Sequence, residues 1–381
     1  MTTTLRVIAE QMIKPVPNGV GRYTEELTRE LIASAPAGCE VEAIVAAHPQ
    51  EEISNVRRRL PGLVQLTAAA LPHRELARAW QYGVKVPIGG GGMVHSPSLL
   101  APLFKHDRLN GTGQVAVTIH DAVPWAHTGA FRSSSSGWRK AMARRAQKHA
   151  DAIIVPTHAV ARQLDEVLDF GDRIRVIAGA VGSTLRVPSD ADARARDLGL
   201  PGQYVLAIGS LKPRKALGSL IQAMSLPGAA GLPLVVVGPE ESHGQRVSSA
   251  AMEAGLPEGR VIVLGHLDDG DLSVVLDRAS VFVYPSLAEG FGLPILEAFR
   301  FGTPVIHSDD AALLEVSGGA GIAVERASSG SSYPERLAAA IERVLSDREL
   351  ADRLSVYGQD RVRAFSWRDS AQLVWQLHAD L

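Results

Sequence analysis

A single cysteine, Cys39, stands in 381 residues, so no internal disulfide framework holds this chain, and a reducing compartment is expected. No stretch reaches the roughly 18 apolar residues that a membrane-spanning helix requires. The opening MTTTLRVIAEQMIKPVP has no basic start followed by a long apolar run, so no secretory leader is evident. An excess of one charge sign is missing too: the formal net charge is −2, which gives no electrostatic case for nucleic acid. Together these absences point to the cytoplasm.

What remains is ordinary globular material, 46% hydrophobic and 21% charged, in a length that suits two domains better than one. Short apolar runs alternate with helical patterns throughout. Strands are expected at Leu5–Met12, Val41–Ala47, Gln114–His120, Ala152–Pro156 and Ile174–Gly179, then at Tyr204–Ser210, Leu232–Pro239, Val261–His266, Ser280–Pro285 and Thr303–Asp309. Helices are expected at Gly21–Ala35 and Ser136–Ala150. Strand–helix alternation with continuously apolar strands implies parallel sheets covered on both faces, an α/β class of doubly wound, Rossmann-like domains. Ten strands could build one large sheet, but the polar segment Val181–Gln203, with Pro and Gly at its ends, reads as a linker. The division expected is 1–182, 183–364, and a C-terminal helix, 365–381, that returns to the N-terminal domain. The runs Gly89–Gly92 and Ser133–Ser136 read as flexible loop pieces.

Ligands of such sheets bind outside the carboxyl ends of the strands. In YPSLAEGFGLPILEAFRFGTPVIHSD, Tyr284 to Asp309, a strand hands over to a helix through Gly290 and Gly292. Glu289 stands before that bend and Glu297 after it. Uncapped amides and a positive dipole end suit a phosphate or sugar hydroxyls there, and the two acids suit polyol hydroxyls. The plainer alternatives are a helix-stabilising acid for Glu297 and a solvated loop acid for Glu289. In AIGSLKPRKALGSLIQAM, the cations Lys212, Arg214 and Lys215 precede a helix and oppose its dipole, at a cost of roughly 0.3–1 kcal/mol each. A bound diphosphate would reverse that cost; a solvated basic turn is the bland reading. KPVPNGVGRYTEEL places Gly19 and Gly21 before a helix, but Thr24 occupies the third glycine position of a dinucleotide fingerprint, a weak match that disfavours a dehydrogenase. In TIHDAVPW, His120 and Asp121 could bind a hydroxyl or move a proton, although a lone histidine is more often structural.

Together GVGRYTEEL, IHD, AIIVPTHAVARQL, IRVIAGAV, AIGSLKPRKAL, LVVVGP, VIVLGHL and EGFGLPILE resemble, in order and over nearly the whole chain, family 4 of the retaining nucleotide-sugar glycosyltransferases. That resemblance implies the GT-B architecture, two Rossmann-like domains facing across a cleft, with acceptor on the N-terminal side and donor on the C-terminal side. It implies that Glu289 holds the donor sugar and Glu297 the ribose diol, while Lys215, helped by Arg214, holds the phosphates. Gly290, Phe291, Gly292 and Leu293 would set sugar and phosphates against helix amides, with Gly19 and Gly21 facing them. His120 would lie near the transferred sugar, and the base near the backbone of His266 and Leu267. Where many members carry an arginine this chain has Ser210, so Arg214 or Lys212 would substitute.

The implied reaction moves a hexose, with GDP-mannose favoured over UDP-hexoses, to a hydroxyl of a glycan, glycolipid or small molecule, with retention and without cofactor or metal. WRKAMARRAQKHA, Trp138 to Ala150, has five cations and no acids; it could touch anionic lipid at the inner membrane face, or simply be solvated. A nucleotide-sugar isomerase or epimerase, which would turn over donor alone, and a non-catalytic nucleotide-sugar-binding protein are the rivals. Oligomeric state is not legible.

Overall fold

The computed structural model describes residues 2–13, 19–89, 92–106, 113–126, 136–229, 231–242 and 244–381. Residues 14–18 of the first glycine loop, Gly90 and Gly91, and Ser133 to Ser135 lie outside them. Two compact units result: Met1–Gly179 with Ser366–Leu381, and Ala180–Phe365.

In the first unit the strands are β1 (Thr3–Ile8), β2 (Cys39–Val45), β3 (Gln65–Ala68), β4 (Met93–Ser96), β5 (Gln114–Thr118), β6 (Ala152–Val155) and β7 (Ile174–Val176). They form one parallel sheet in the order β3-β2-β1-β4-β5-β6-β7. The chain first winds outward from β1 to β3, then crosses back to β4, so strand order reverses between β1 and β4. Ile8, Ile44, Val117, Ile153 and Val155 are buried beneath the covering helices. The helix Gly19–Ala33 buries Tyr23, Leu27 and Leu31 at helical spacing. The C-terminal helix Trp367–Asp380, capped by the Ser366 side chain, belongs to this unit. Its Trp375 indole donates to the Leu31 carbonyl at 3.2 Å, and its Ser370 hydroxyl to the Ala178 carbonyl at 2.7 Å.

In the second unit, β8 (Val205–Ile208), β9 (Leu234–Val237), a short antiparallel pair of β10 (Glu241–Ser242) and β11 (Gln245–Arg246), β12 (Val261–Gly265), β13 (Val281–Tyr284), β14 (Val305–Ser308) and β15 (Ile322–Val324) appear. All but the antiparallel pair build a second parallel sheet, β12-β9-β8-β13-β14-β15. The reversal recurs, here between β8 and β13. Val205, Val236, Val281 and Val283 are fully buried. Backbone crowding at the strand ends is severe: a Cβ on Gly238 would lie 1.8 Å from the Gly209 carbonyl oxygen.

One expectation needs correction. The run Leu5–Met12 is not one strand: β1 ends at Ile8 and a 3-10 turn, Glu10–Ile13, follows. The turn sinks the Glu10 carboxylate to 4% exposure, where it accepts from the Ala46 amide at 2.7 Å, His48 at 2.9 Å and His73 at 2.8 Å. The segment Val181–Gln203 holds the helix Ala191–Asp197.

Candidate active site

The reversal between β8 and β13 brings two loops side by side at the carboxyl end of the second sheet, residues 209–216 and 285–292. Backbone bonds join them: the Leu287 amide donates to the Arg214 carbonyl at 2.7 Å. The 3-10 turn Pro213–Lys215 then presents its cations to Glu289. Glu289 Oε1 accepts from Lys215 Nζ at 2.5 Å, Ser286 Oγ at 2.7 Å, the Tyr284 hydroxyl at 3.0 Å and Arg214 at 3.1 Å. Its side chain is only 12% exposed. A solvated loop acid is therefore ruled out for Glu289.

Burial alone would push the Glu289 carboxyl up, but Lys215, then Arg214, outweigh it and draw it down to about 2. The opposite happens to its neighbour: burial and then the Glu289 charge push the Tyr284 hydroxyl well above its usual value, so it stays a donor. Lys215 Nζ also meets the Tyr284 hydroxyl at 2.7 Å. The next residue, Ala216, adopts φ 49°, the one left-handed non-glycine residue among those described. Such strain costs of order 1 kcal/mol and persists where surrounding structure fixes it. Tyr284 and Ser286, five and three residues before Glu289, complete the cluster and went unread; their position at a strand end was the available signal.

Gly292, φ 87°, starts the helix Leu293–Arg300, and a Cβ there would lie 2.4 Å from Leu313 Cδ2. Leu293 is its first residue and half-buried, as is Phe291, whose ring meets Phe365 edge-on at 5.8 Å. Gly290 is buried. Glu297 lies beyond the first turn, which holds no acid, and is 4% exposed, so dipole stabilisation does not explain it. Ser210 is half-buried after β8, His266 is exposed after β12, and Leu267 packs into the core, leaving its backbone as the reachable part. Lys212 is exposed and apart from Glu289; it lines a separate hollow of about 810 Å³ with Ser219, Gln222 and Arg246.

The first unit carries its own hollow, about 870 Å³, at the carboxyl ends of β1, β4 and β5. His120, Asp121, Thr118, Ser98 and the helix His73–Gln81 wall it. His120 Nε2 lies 2.7 Å from the Pro97 carbonyl, which can only accept, so this nitrogen carries the hydrogen and Nδ1 is left as an acceptor. Burial lowers the His120 pKa and keeps the ring neutral. Asp121 pairs with Arg139 at 2.8 Å. Thr118, 1% exposed, lies beside the Tyr23 hydroxyl, and neither completes a hydrogen bond of good geometry. Gly19 is the exposed first residue of its helix and Gly21 is buried in the same turn. Among the described residues no group of three His, Cys, Asp or Glu side chains is arranged to hold a metal. Among the described residues no helix is long and apolar enough to cross a membrane.

Residues 17–182 match the family model Glycosyltransferase Family 4, and residues 190–361 match Glycosyl transferases group 1. The serotype-specific mannosyltransferase WbdA of Escherichia coli is 32% identical over 237 residues, 59% of this chain and 28% of the relative. The chain thus spans little more than a quarter of that relative's length. A D-inositol 3-phosphate glycosyltransferase of Frankia alni is 27% identical over 387 residues, 93% of this chain and 92% of the relative. Among solved structures, Anabaena Alr3699/HepE in complex with UDP and glucose superposes with TM-score 0.72 over 100% of both chains at 15% identity, a likeness of fold. With both halves matched in order and each sheet wound about its own reversal point, the chain belongs to the family 4, group 1 glycosyltransferases of GT-B fold.

Proposed function

We propose that this chain transfers a hexose from a nucleoside-diphosphate sugar to an acceptor hydroxyl with retention of anomeric configuration. One observation carries the reading: Lys215, Arg214 and Glu289 converge in a single cluster at the reversal point of the second sheet. Without donor, Glu289 neutralises part of the local positive charge. A diphosphate entering there competes for Lys215 and Arg214, and Glu289, freed from them, accepts from sugar hydroxyls instead. In the transition state negative charge grows on the departing diphosphate. Cations and helix amides already in place stabilise it without reorganisation, an effect worth roughly 3–4 kcal/mol per donor in comparable sites. Leaving-group charge is met this way by protein groups, and no metal is required. Glu297 is assigned to the ribose diol, Gly290 to Leu293 to the sugar and phosphates, and the backbone of His266 and Leu267 to the base. The N-terminal unit takes the acceptor, with His120 Nδ1 accepting from a hydroxyl of the transferred sugar.

The mannosyltransferase relative supports mannose as the sugar, GDP as its carrier is what the family resemblance favours, and the UDP and glucose in the HepE complex support UDP-hexoses as the second choice. The basic helix gives little support to a membrane contact, because Arg139 is bound to Asp121 and Arg145 to the Leu103 carbonyl. Donor turnover without acceptor would favour the isomerase alternative; a panel of donor sugars with and without acceptor polyols decides between them. Transfer products that appear only with acceptor are the result expected.

A further inference from the structure

We infer that the acceptor carries a phosphate group, gripped in the hollow of the first unit by Arg74 and Arg78. The inference deepens the transferase reading and rests on it. Arg74 and Arg78 stand four residues apart on the helix His73–Gln81, so their side chains share one face, and both line the hollow. Both are exposed, and neither has a carboxylate within ion-pair distance among the described residues. The other charges of the wall are accounted for. Arg139 is neutralised by Asp121, His73 is tied through Nδ1 to Glu10, and Glu75 is the one remaining acid. Two unpaired guanidinium groups against one carboxylate leave the wall net positive, in a chain whose overall charge is −2.

Local structure points the same way. Arg74 lies in the first turn of its helix, where a cation opposes the dipole, and Pro72 in the cap position supplies no side chain to satisfy the free amides. Glu10, anchored by the Ala46 amide and His48 at the end of the sheet, holds His73, itself part of the lining, through Nδ1. Forked guanidinium groups match phosphate oxygens in pairs, which a neutral polyol cannot exploit. The same hollow is also lined by Ser98 and by the buried, unsatisfied Thr118 hydroxyl, groups that suit hydroxyls rather than charge. A phosphate on the two arginines and a polyol on the Thr118 and Ser98 hydroxyls describe one molecule: a phosphorylated polyol, free in solution or forming the headgroup of a lipid.

The test uses the full chain saturated with the nucleoside diphosphate that stabilises it. Binding of glucose 6-phosphate, of inorganic phosphate and of glucose is measured by calorimetry, and vesicles of phosphatidylcholine with and without phosphatidylinositol form a separate arm. The phosphorylated sugar is expected to bind at least about tenfold more tightly than glucose, a difference of about 1.4 kcal/mol. The double variant Arg74→Ala/Arg78→Ala is expected to erase that preference while its response to nucleotide is kept, and Arg74→Lys/Arg78→Lys to restore part of it. Preference for phosphatidylinositol vesicles alone would assign the phosphate to a lipid. Equal binding of glucose and glucose 6-phosphate, with no preference between vesicles, overturns the inference, as does a double alanine variant that keeps the wild-type preference. Absence of any nucleotide response would instead strike the donor reading, and the phosphate arms would still read the hollow without it.

Discussion

At the scale of single residues, the cluster around Glu289 makes opposite demands on charge. Its carboxylate neutralises the cations that a diphosphate needs, so removing that charge and removing a cation have different consequences. Glu289→Gln keeps the shape and frees Lys215 and Arg214; nucleoside diphosphate is expected to bind at least as tightly as to wild type, while transfer falls about 10²–10³-fold. Lys215→Ala loses both, nucleotide affinity and turnover. Calorimetry beside initial rates separates the two variants, and equal loss of nucleotide affinity in both would refute the competition. Acid titration carries a second test. The Glu289 carboxyl titrates near 2 in the fold against about 4.5 in the unfolded chain, so its stabilising contribution is present above about 4.5 and fades as pH falls toward 2. Nucleotide affinity should therefore show no inflection from this carboxylate between pH 5 and 8; one there that vanishes in Glu289→Gln would contradict the pairing with Lys215.

At the scale of elements, the loop-to-helix joint at Gly292 fixes where the bend points. Its left-handed backbone and the 2.4 Å approach of Leu313 to a would-be Cβ leave room for glycine alone. Gly292→Ala is expected to cost roughly 1–3 kcal/mol and to weaken donor binding. Adding Leu313→Ala removes the clash but not the strained φ, so melting temperature should recover only in part; full recovery would show that backbone conformation is not the constraint. The strands that carry this joint were legible because Val205–Ile208 and Val281–Tyr284 are apolar on both faces. Others were not. β3 is an edge strand, exposed at both ends, and β4 spends two of its four residues on the buried polar His95 and Ser96. β15 has three residues, too few for any periodicity to register. Glu10 misled the reading of the first strand, because nothing local reveals a carboxylate solvated by residues more than thirty positions away, Ala46, His48 and His73. Likewise the motif around Glu289 was readable as a motif, whereas its bonds to Tyr284 and Ser286 depend on how the strand end turns.

At the scale of the molecule, the chain leaves its first unit at Gly179 and returns to it at Ser366. Truncation before Ser366 exposes the surface that Val374, Trp375 and Leu377 cover, and is expected to lower the melting transition of the first unit while that of the second is kept. A buried histidine pair makes the same packing sensitive to acid. The rings of His95 and His378 lie 5.8 Å apart, edge to face, and burial draws His378 down to about 4. The unfolded chain takes up its proton near 6.5, so stability is full above that value and is lost as pH falls toward 4, by up to roughly 3 kcal/mol. His378→Leu should flatten that loss between pH 7 and 5; an unchanged slope would remove the pair from the account.

The central claim, a sugar diphosphate held by Lys215 and Arg214 against the Glu289 bend, is tested most directly by a calorimetric titration of wild type and Lys215→Ala with GDP, UDP, ADP and dTDP. Saturable binding of one diphosphate, GDP first and UDP next, weakened at least tenfold by the substitution, is the result the account requires. Binding of equal strength in both proteins, or of none of the four nucleotides to wild type, would contradict it.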